Sequence, residues 1–128
     1  MNSIHYESTE KTPMIAGDIE KGEITIRGRS YPESTIDFYK DFKSWLNEFY
    51  ANAPEKITVT LDLEYFNTST TAVLYDMILQ LSKIKEGRQI LVTWIFDEDD
   101  YDMIDKGHDL QKLLGEMIKL EIRNSESG

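Results

Sequence analysis

The stretch that most constrains the fold of this chain is residues 57–71, in which a strand pattern leads directly into a helix pattern. Residues 57–64 alternate apolar and polar side chains with a period of two, which is typical of a strand with one buried face. Residues 72–81 repeat their apolar side chains at helical spacing. The residues between these patterns form what we call the hydroxyl segment: Asn67, Thr68, Ser69, Thr70 and Thr71. A helix start needs one such side chain as its cap, so this segment holds more than capping requires.

The patterns on either side of this stretch predict an α/β fold. Residues 12–16 and 23–28 are typical of a hairpin, and an apolar stripe over residues 38–49 predicts a helix that begins after Ser34. A second helix follows the hydroxyl segment and ends near Gly87. Residues 89–96 are almost continuously apolar, which predicts a strand covered on both faces. A third helix follows the acidic residues 97–100, although Gly107 weakens that prediction, and a last strand covers residues 117–122.

This element order predicts one α/β domain with a mixed, mostly parallel sheet of four to five strands and about three helices. The domain is expected to span residues 12–123. Residues 1–11 are polar and without periodicity, which indicates a flexible N-terminal arm, and residues 124–128 are expected to form a C-terminal tail.

Parallel strands joined by right-handed crossovers bring their following loops to one edge of the sheet. Residues 30–34, 67–71 and 97–100 should therefore lie on a common rim, where open α/β sheets place their functional sites. The candidate partner-binding residues from these segments are Tyr31, Pro32, Glu33, Asn67, Thr68, Ser69, Asp97, Asp99 and Asp100.

Charge and composition exclude several classes of function. The net charge of -10 disfavours nucleic acid and anionic membrane surfaces, because both are bound largely through Lys and Arg. No apolar run is long enough to span a bilayer, and the N-terminus lacks the features of a signal peptide. The chain has no cysteine, so disulfides and thiolate chemistry are excluded. A cytoplasmic location is expected.

The sequence contains none of the motifs that would indicate an enzyme. His5 and His108 stand apart from other ligand-type residues, and no glycine-rich phosphate loop is present. The acidic run at 97–100 lacks the glycine and the glutamate of an EF-hand loop, and no nucleophile elbow is found. We therefore predict no catalytic residues, no metal site and no cofactor.

Phosphorylation of the hydroxyl segment would have a clear physical effect. A phosphate adds roughly 1.5 to 2 negative charges, and a helix N-terminus offers it unpaired N–H groups and a favourable dipole. The added charge would join the negative field of residues 97–100 and change what the rim can bind. The structural alternative is that residues 67–71 serve only as a redundant cap and turn.

Three groups of residues resemble one known family. Residues 61–70, residues 28–34 with their Ser-Tyr-Pro-Glu motif, and Thr93-Trp94 with the acidic run after it are similar to the SiaC family of bacterial regulatory phosphoproteins. The resemblance covers about residues 12–122 and implies a STAS-like fold related to the anti-sigma factor antagonists. It departs from the family at Thr70, which stands where the family has a second serine, so the choice of hydroxyl stays open.

The resemblance implies a partner-switching protein that is not an enzyme. A dedicated kinase would phosphorylate Thr68, with Ser69 and Thr70 as alternatives, and a metal-dependent serine/threonine phosphatase would reverse the modification. The unphosphorylated form would bind and activate a GGDEF diguanylate cyclase and promote biofilm through cyclic di-GMP. Two alternatives remain at this point: an adaptor domain that is never phosphorylated, and a small-molecule or metal-assisted enzyme at the rim.

Overall fold

Six strands and three α-helices make up the computed structural model, which describes residues 3–123. The elements in chain order are β1 (Ser3–Tyr6), β2 (Met14–Asp18), β3 (Glu23–Ser30), α1 (Thr35–Asn52), β4 (Lys56–Phe66), α2 (Thr68–Lys83), β5 (Gln89–Phe96), α3 (Tyr101–Leu114) and β6 (Ile118–Ile122), with a 3₁₀ turn at Gly115–Met117. The predicted cap of α1 is confirmed, because the Ser34 side chain accepts a hydrogen bond from the Asp37 N–H at 3.3 Å.

The strands form one sheet in the order β1-β2-β3-β4-β5-β6. The first three strands pair antiparallel and the last four pair parallel. The predicted fold class, a mixed and mostly parallel sheet with three helices, is confirmed. The sheet has six strands instead of four to five, because Ser3–Tyr6, predicted as part of the flexible arm, pair with β2 as an edge strand. The predicted tail at 124–128 lies outside the described residues.

All three helices lie on one face of the sheet. Each parallel crossover steps to the next strand in the same direction, and right-handed crossovers of this kind return to the same face. The alternation in β4 agrees, since Ile57, Val59 and Leu61 are buried while Thr58 and Thr60 stay partly accessible. We call the uncovered side of the sheet the open face.

The predicted coverage of residues 89–96 on both faces is therefore wrong. Ile90, Val92 and Trp94 are buried under the helices, whereas Leu91, which alternates with them, is 39% exposed on the open face. Both faces of this strand carry strong β-forming residues, so its composition does not distinguish an uncovered face from a covered one.

Gly107 has a packing role that explains its place in the middle of α3. A Cβ at this position would lie 2.8 Å from Cδ1 of Trp94, so only glycine allows the helix to approach the sheet this closely. The same tryptophan donates a hydrogen bond from Nε1 to the carbonyl of Met103 at 2.9 Å. Together these contacts fix α3 on β5. Separately, no helix in residues 3–123 combines the length and apolarity needed to cross a bilayer.

Replacing Tyr50 by phenylalanine should leave stability at neutral pH unchanged or raise it by up to about 1 kcal/mol, because the buried Tyr50 hydroxyl has no hydrogen-bond partner among residues 3–123. Burial and the charge of Asp76 raise the pKa of Tyr50 above its ordinary value of 10.0. Above about pH 10 the unfolded chain loses a proton that the folded chain keeps, so stability falls as pH rises. Tyr50→Phe should lose less stability there in urea unfolding than the wild type does.

Tyr101→Phe is the matched control, because Tyr101 is 73% exposed. An equal alkaline loss of stability in the wild type and in Tyr50→Phe would show that Tyr50 is not the group responsible.

Candidate functional site

The loops that follow β3, β4 and β5 meet at one edge of the sheet, which we call the carboxyl rim. The Asn67 N–H donates to the carbonyl of Ser30 at 3.0 Å, which joins the first two loops directly. The Tyr31 ring lies 5.8 Å from the Tyr65 ring, and both line a cavity together with Asp97 from the third loop. The structure thus brings together the three segments that the topology placed on a common edge.

Part of the hydroxyl segment serves the start of α2. Asn67 is the N-cap, and its Oδ1 accepts a hydrogen bond from the Thr70 N–H at 2.9 Å. The Thr71 hydroxyl donates to the Asn67 carbonyl at 3.2 Å. Asn67 thus supplies the one side-chain cap that a helix start needs, as the structural alternative supposed.

Thr70 belongs to a buried hydroxyl cluster below the rim. Its Oγ1 lies 2.8 Å from Ser30 Oγ, which lies 2.6 Å from the Tyr39 hydroxyl, and Thr70 Oγ1 also donates to the Ser30 carbonyl at 3.2 Å. All three residues have no exposed surface. Burial raises the pKa of Tyr39, and the hydrogen bonds of Ser30 and Thr70 offset part of that rise. The cluster fixes β3, α1 and α2 to one another, and it holds the Thr70 hydroxyl where a kinase has no access.

Thr70→Val should destabilise the fold by about 1–2 kcal/mol, because it removes a buried hydroxyl and leaves Ser30 and Tyr39 with fewer partners. Thr71→Val is the matched control, and its loss should be about 0.5 kcal/mol or less because Thr71 is only half-buried. Chemical unfolding of both variants measures the difference. Equal losses would contradict the role of the buried cluster.

Within the hydroxyl segment, Thr68 and Ser69 are the two residues whose hydroxyls the fold leaves free. Both are exposed, and neither side chain makes a hydrogen bond within residues 3–123. Thr68 is the first residue of α2, where the helix dipole is positive. The N–H groups of both residues also lack an acceptor in the described part of the chain, whereas those of Thr70 and Thr71 are bonded to Asn67. A phosphate on Thr68 would therefore find two unpaired donors beside it.

A groove of about 530 Å³ runs between the N-termini of α1 and α2, on the helix-covered side of the rim. Asn67 and Ser69 line one wall, and Pro32 and Glu33 line the other. Ile36 also lines it and is 80% exposed, an unusual position for a large apolar side chain. Pro32 is buried, while Glu33 is exposed and forms an ion pair with Lys11 at 3.5 Å. An exposed apolar residue at a polar groove is typical of a surface that contacts another protein.

The acidic loop after β5 is held by one arginine and one helix cap. Arg123 Nη1 lies 2.7 Å from Asp97 Oδ1, and its guanidinium also pairs with Asp62 on β4. Burial lowers the pKa of Arg123, but the hydrogen bonds and charges of Asp62 and Asp97 outweigh it and raise the pKa. Asp100 caps α3 by accepting from the Met103 N–H at 3.2 Å, and Asp99 is exposed.

Several residues of the rim were not found from the sequence. The hydrogen bonds of Ser30 with Tyr39 and Thr70 have no local sequence signal, because the hydroxyl cluster joins residues up to 40 positions apart. Arg123 was missed because it was assigned only to the end of the domain. Tyr65 does carry a sequence signal: Tyr65 and Phe66 stand side by side where the alternation of β4 would require a polar residue.

The fold and the rim define a small α/β domain with surface grooves suited to binding. Among residues 3–123 there is no group of three or more His, Cys, Asp or Glu side chains placed to hold a metal ion. A family model described as "SiaC family regulatory phosphoprotein" matches residues 6–124. The chain therefore belongs to the SiaC family of regulatory phosphoproteins.

Individual proteins are also similar to this chain. An uncharacterized protein of Pseudomonas aeruginosa strain UCBPP-PA14 is 30% identical over 98 residues, which cover 76% of this chain and 78% of that protein. SiaC of Pseudomonas aeruginosa, solved in complex with the diguanylate cyclase SiaD that it activates, is 23% identical with a TM-score of 0.85 over 94% of this chain and 99% of that one. Apo-SiaC from the same organism is 24% identical, with a TM-score of 0.82 and the same coverage. These structures share the fold of this chain.

Proposed function

We propose that this protein is a phosphorylation-controlled activator of a diguanylate cyclase. In its unphosphorylated form it binds the cyclase through the carboxyl rim and raises cyclic di-GMP, and phosphorylation of Thr68 weakens that binding. A kinase and a metal-dependent serine/threonine phosphatase set the balance between the two forms. The protein itself catalyses no reaction and acts in the cytoplasm.

The main support for this proposal is that the residues of the hydroxyl segment fall into two groups, one bonded within the fold and one exposed. Asn67 caps α2, and the hydroxyls of Thr70 and Thr71 are hydrogen-bonded inside the fold. Thr68 and Ser69 stay exposed and unbonded within the described residues. The two free hydroxyls lie beside a groove with an exposed isoleucine, so a modification there changes a surface and leaves the core untouched. The chain belongs to a family of regulatory phosphoproteins, and SiaC of Pseudomonas aeruginosa forms a complex with the diguanylate cyclase SiaD. These two findings are the reason for proposing a diguanylate cyclase as the partner.

Thr68 is preferred over its neighbours for a geometric reason. Thr70 has no exposed surface, so a kinase would have to unfold the first turn of α2 to reach it. Ser69 is accessible but lines the wall of the groove, whereas Thr68 occupies the first helical position, where added negative charge is stabilised by the dipole.

Mass spectrometry of the protein isolated from its native host tests the proposal. We expect one phosphate on the peptide that contains residues 67–71, localised to Thr68 by fragmentation and removed by a metal-dependent phosphatase. Cyclic di-GMP synthesis by the GGDEF protein of the same host should rise when the unphosphorylated form is added. A chain that is never phosphorylated but still binds the cyclase would support the adaptor alternative instead.

A further inference from the structure

A β-bulge changes the direction of the Tyr65 side chain at the end of β4. The pairing of β3 with β4 shifts register after Gly28, so that Gly28 pairs with Leu63 and Arg29 pairs with Tyr65. Glu64 is the extra residue, and both it and Tyr65 are exposed. Bulges of this kind commonly redirect side chains at functional edges of a sheet. The result is a tyrosine that is 53% exposed at the rim.

Tyr65 and its neighbours form a cavity on the open face of the rim. Its volume is about 580 Å³, and Arg29, Tyr31, Glu64, Tyr65 and Asp97 line it. The two tyrosine rings meet edge to face, with their centroids 5.8 Å apart and their planes at 72°. Arg29 alternates with the buried Ser30, so this cavity opens away from the helices, on the side opposite the groove beside Thr68.

The carboxylates of this cavity can still accept hydrogen bonds from a bound group. Arg29 Nε lies 3.4 Å from Glu64 Oε1, and both side chains are more than half exposed. Arg123 contacts Oδ1 of Asp97, whose side chain is 46% exposed, which leaves the second oxygen able to accept a hydrogen bond. The exposed ion pair of Arg29 and Glu64 exchanges readily with a competing group.

A second recess continues from the first and increases its negative charge. Its volume is about 450 Å³, and it shares Asp97 with the tyrosine cavity. The residues that line it are Asp97, Asp99, Asp100, Tyr101 and Asp102. Of these aspartates, only Asp97 forms an ion pair within residues 3–123. The recess beside the tyrosine cavity therefore attracts cations more strongly than anions.

We infer that the tyrosine cavity binds an arginine side chain of a protein partner. A guanidinium is planar, so it can stack on the exposed face of Tyr65 while its N–H groups reach Glu64 and Asp97. Exposed tyrosines with charged neighbours are also typical of the residues that dominate protein interfaces. A lysine has no planar group for this geometry, and a carboxylate would meet the repulsion of the acidic loop.

This inference deepens the proposed function by naming a chemical feature of the partner. The arginine anchor lies on the open face, whereas Thr68 lies beside the groove on the helix-covered face. A phosphate on Thr68 can therefore obstruct contacts on the helix-covered face without directly adding to the attraction between the partner's arginine and the open face. The partner is expected to contact both sides of the rim.

A peptide titration followed by NMR tests the inference without any cyclase. The probe is the capped peptide acetyl-Gly-Arg-Gly-amide, and its matched control carries citrulline, which has the same shape but no charge. We expect saturable shifts of the Tyr31 and Tyr65 ring signals with the arginine peptide. Tyr65→Ala should weaken binding at least about fivefold, whereas Tyr65→Phe should stay within about twofold because it keeps the ring. Leu113→Ala, 72% exposed at the far end of α3, should have no effect.

Equal shifts from the citrulline peptide or from a lysine peptide would overturn the inference, and so would shifts that Tyr65→Ala leaves unchanged. The outcome is independent of phosphorylation. Binding of the arginine peptide by a protein that is never phosphorylated would support this site and contradict the proposed switch. Phosphorylation of a protein that does not bind the peptide would support the switch and contradict this site.

Discussion

Thr68→Asp should bind the diguanylate cyclase at least about tenfold more weakly than the wild type, and Thr68→Ala should bind as tightly as the wild type. The reason is the cost of enclosing an unpaired charge within an interface, which commonly reaches about 2–5 kcal/mol. Thr68 is exposed and makes no hydrogen bond within the described residues, so its replacement by alanine removes nothing that the fold requires. Titration calorimetry of each variant against the cyclase measures the effect.

Two controls separate this effect from a change in folding. Aspartate at the first position of α2 interacts favourably with the helix dipole, so Thr68→Asp should unfold at the same temperature as the wild type or slightly higher. Thr68→Asn has nearly the shape of the aspartate variant but no charge, and it should bind within about threefold of the wild type. A loss of binding in Thr68→Asn equal to that in Thr68→Asp would show that shape, and not charge, is read at this position.

Gly17→Ala should destabilise the fold by about 2–3 kcal/mol. A Cβ at Gly17 would lie 2.8 Å from Cζ2 of Trp45, and the backbone there has no positive φ, so the cost is steric. The indole cannot move away easily because it is 6% exposed and lies between Phe42 and Phe49, at ring distances of 6.0 and 5.3 Å. Chemical unfolding of the purified variant measures the loss.

A double-mutant cycle identifies the clash. Trp45→Phe removes the outer ring that meets Gly17, so adding Gly17→Ala to that variant should cost less than about 1 kcal/mol. The coupling between the two sites should therefore be at least about 1 kcal/mol. Costs that simply add, within about 0.5 kcal/mol, would contradict the contact between Gly17 and the indole.

The central part of the fold was predictable because its signals are local. The period of two in β4, the cap residue Asn67 and the helical spacing of α2 each depend on neighbouring residues. The meeting of three loops at the carboxyl rim followed from the order of the elements alone, because parallel strands with right-handed crossovers leave no other arrangement.

Other features depended on distant contacts that no local pattern carries. The open face of β5 was missed because Leu91 is apolar on a side that no helix covers. The strand Ser3–Tyr6 was missed because four residues are too few to show a period, and its pairing with β2 decides its conformation. The Ser30–Tyr39–Thr70 cluster and the bridge from Arg123 to Asp62 and Asp97 join residues far apart in the chain. In the hydroxyl segment the sequence showed an excess of hydroxyls, but only burial distinguished Thr70 from Thr68.

The most direct test compares the unmodified protein with protein fully phosphorylated on Thr68, each titrated into the GGDEF diguanylate cyclase of the same host by calorimetry. A real phosphate carries more charge than aspartate and occupies more space, so we expect its affinity to fall by at least about thirtyfold relative to the unmodified form. Treatment of the same sample with the phosphatase should restore binding. Equal affinities of the two forms would contradict the switch.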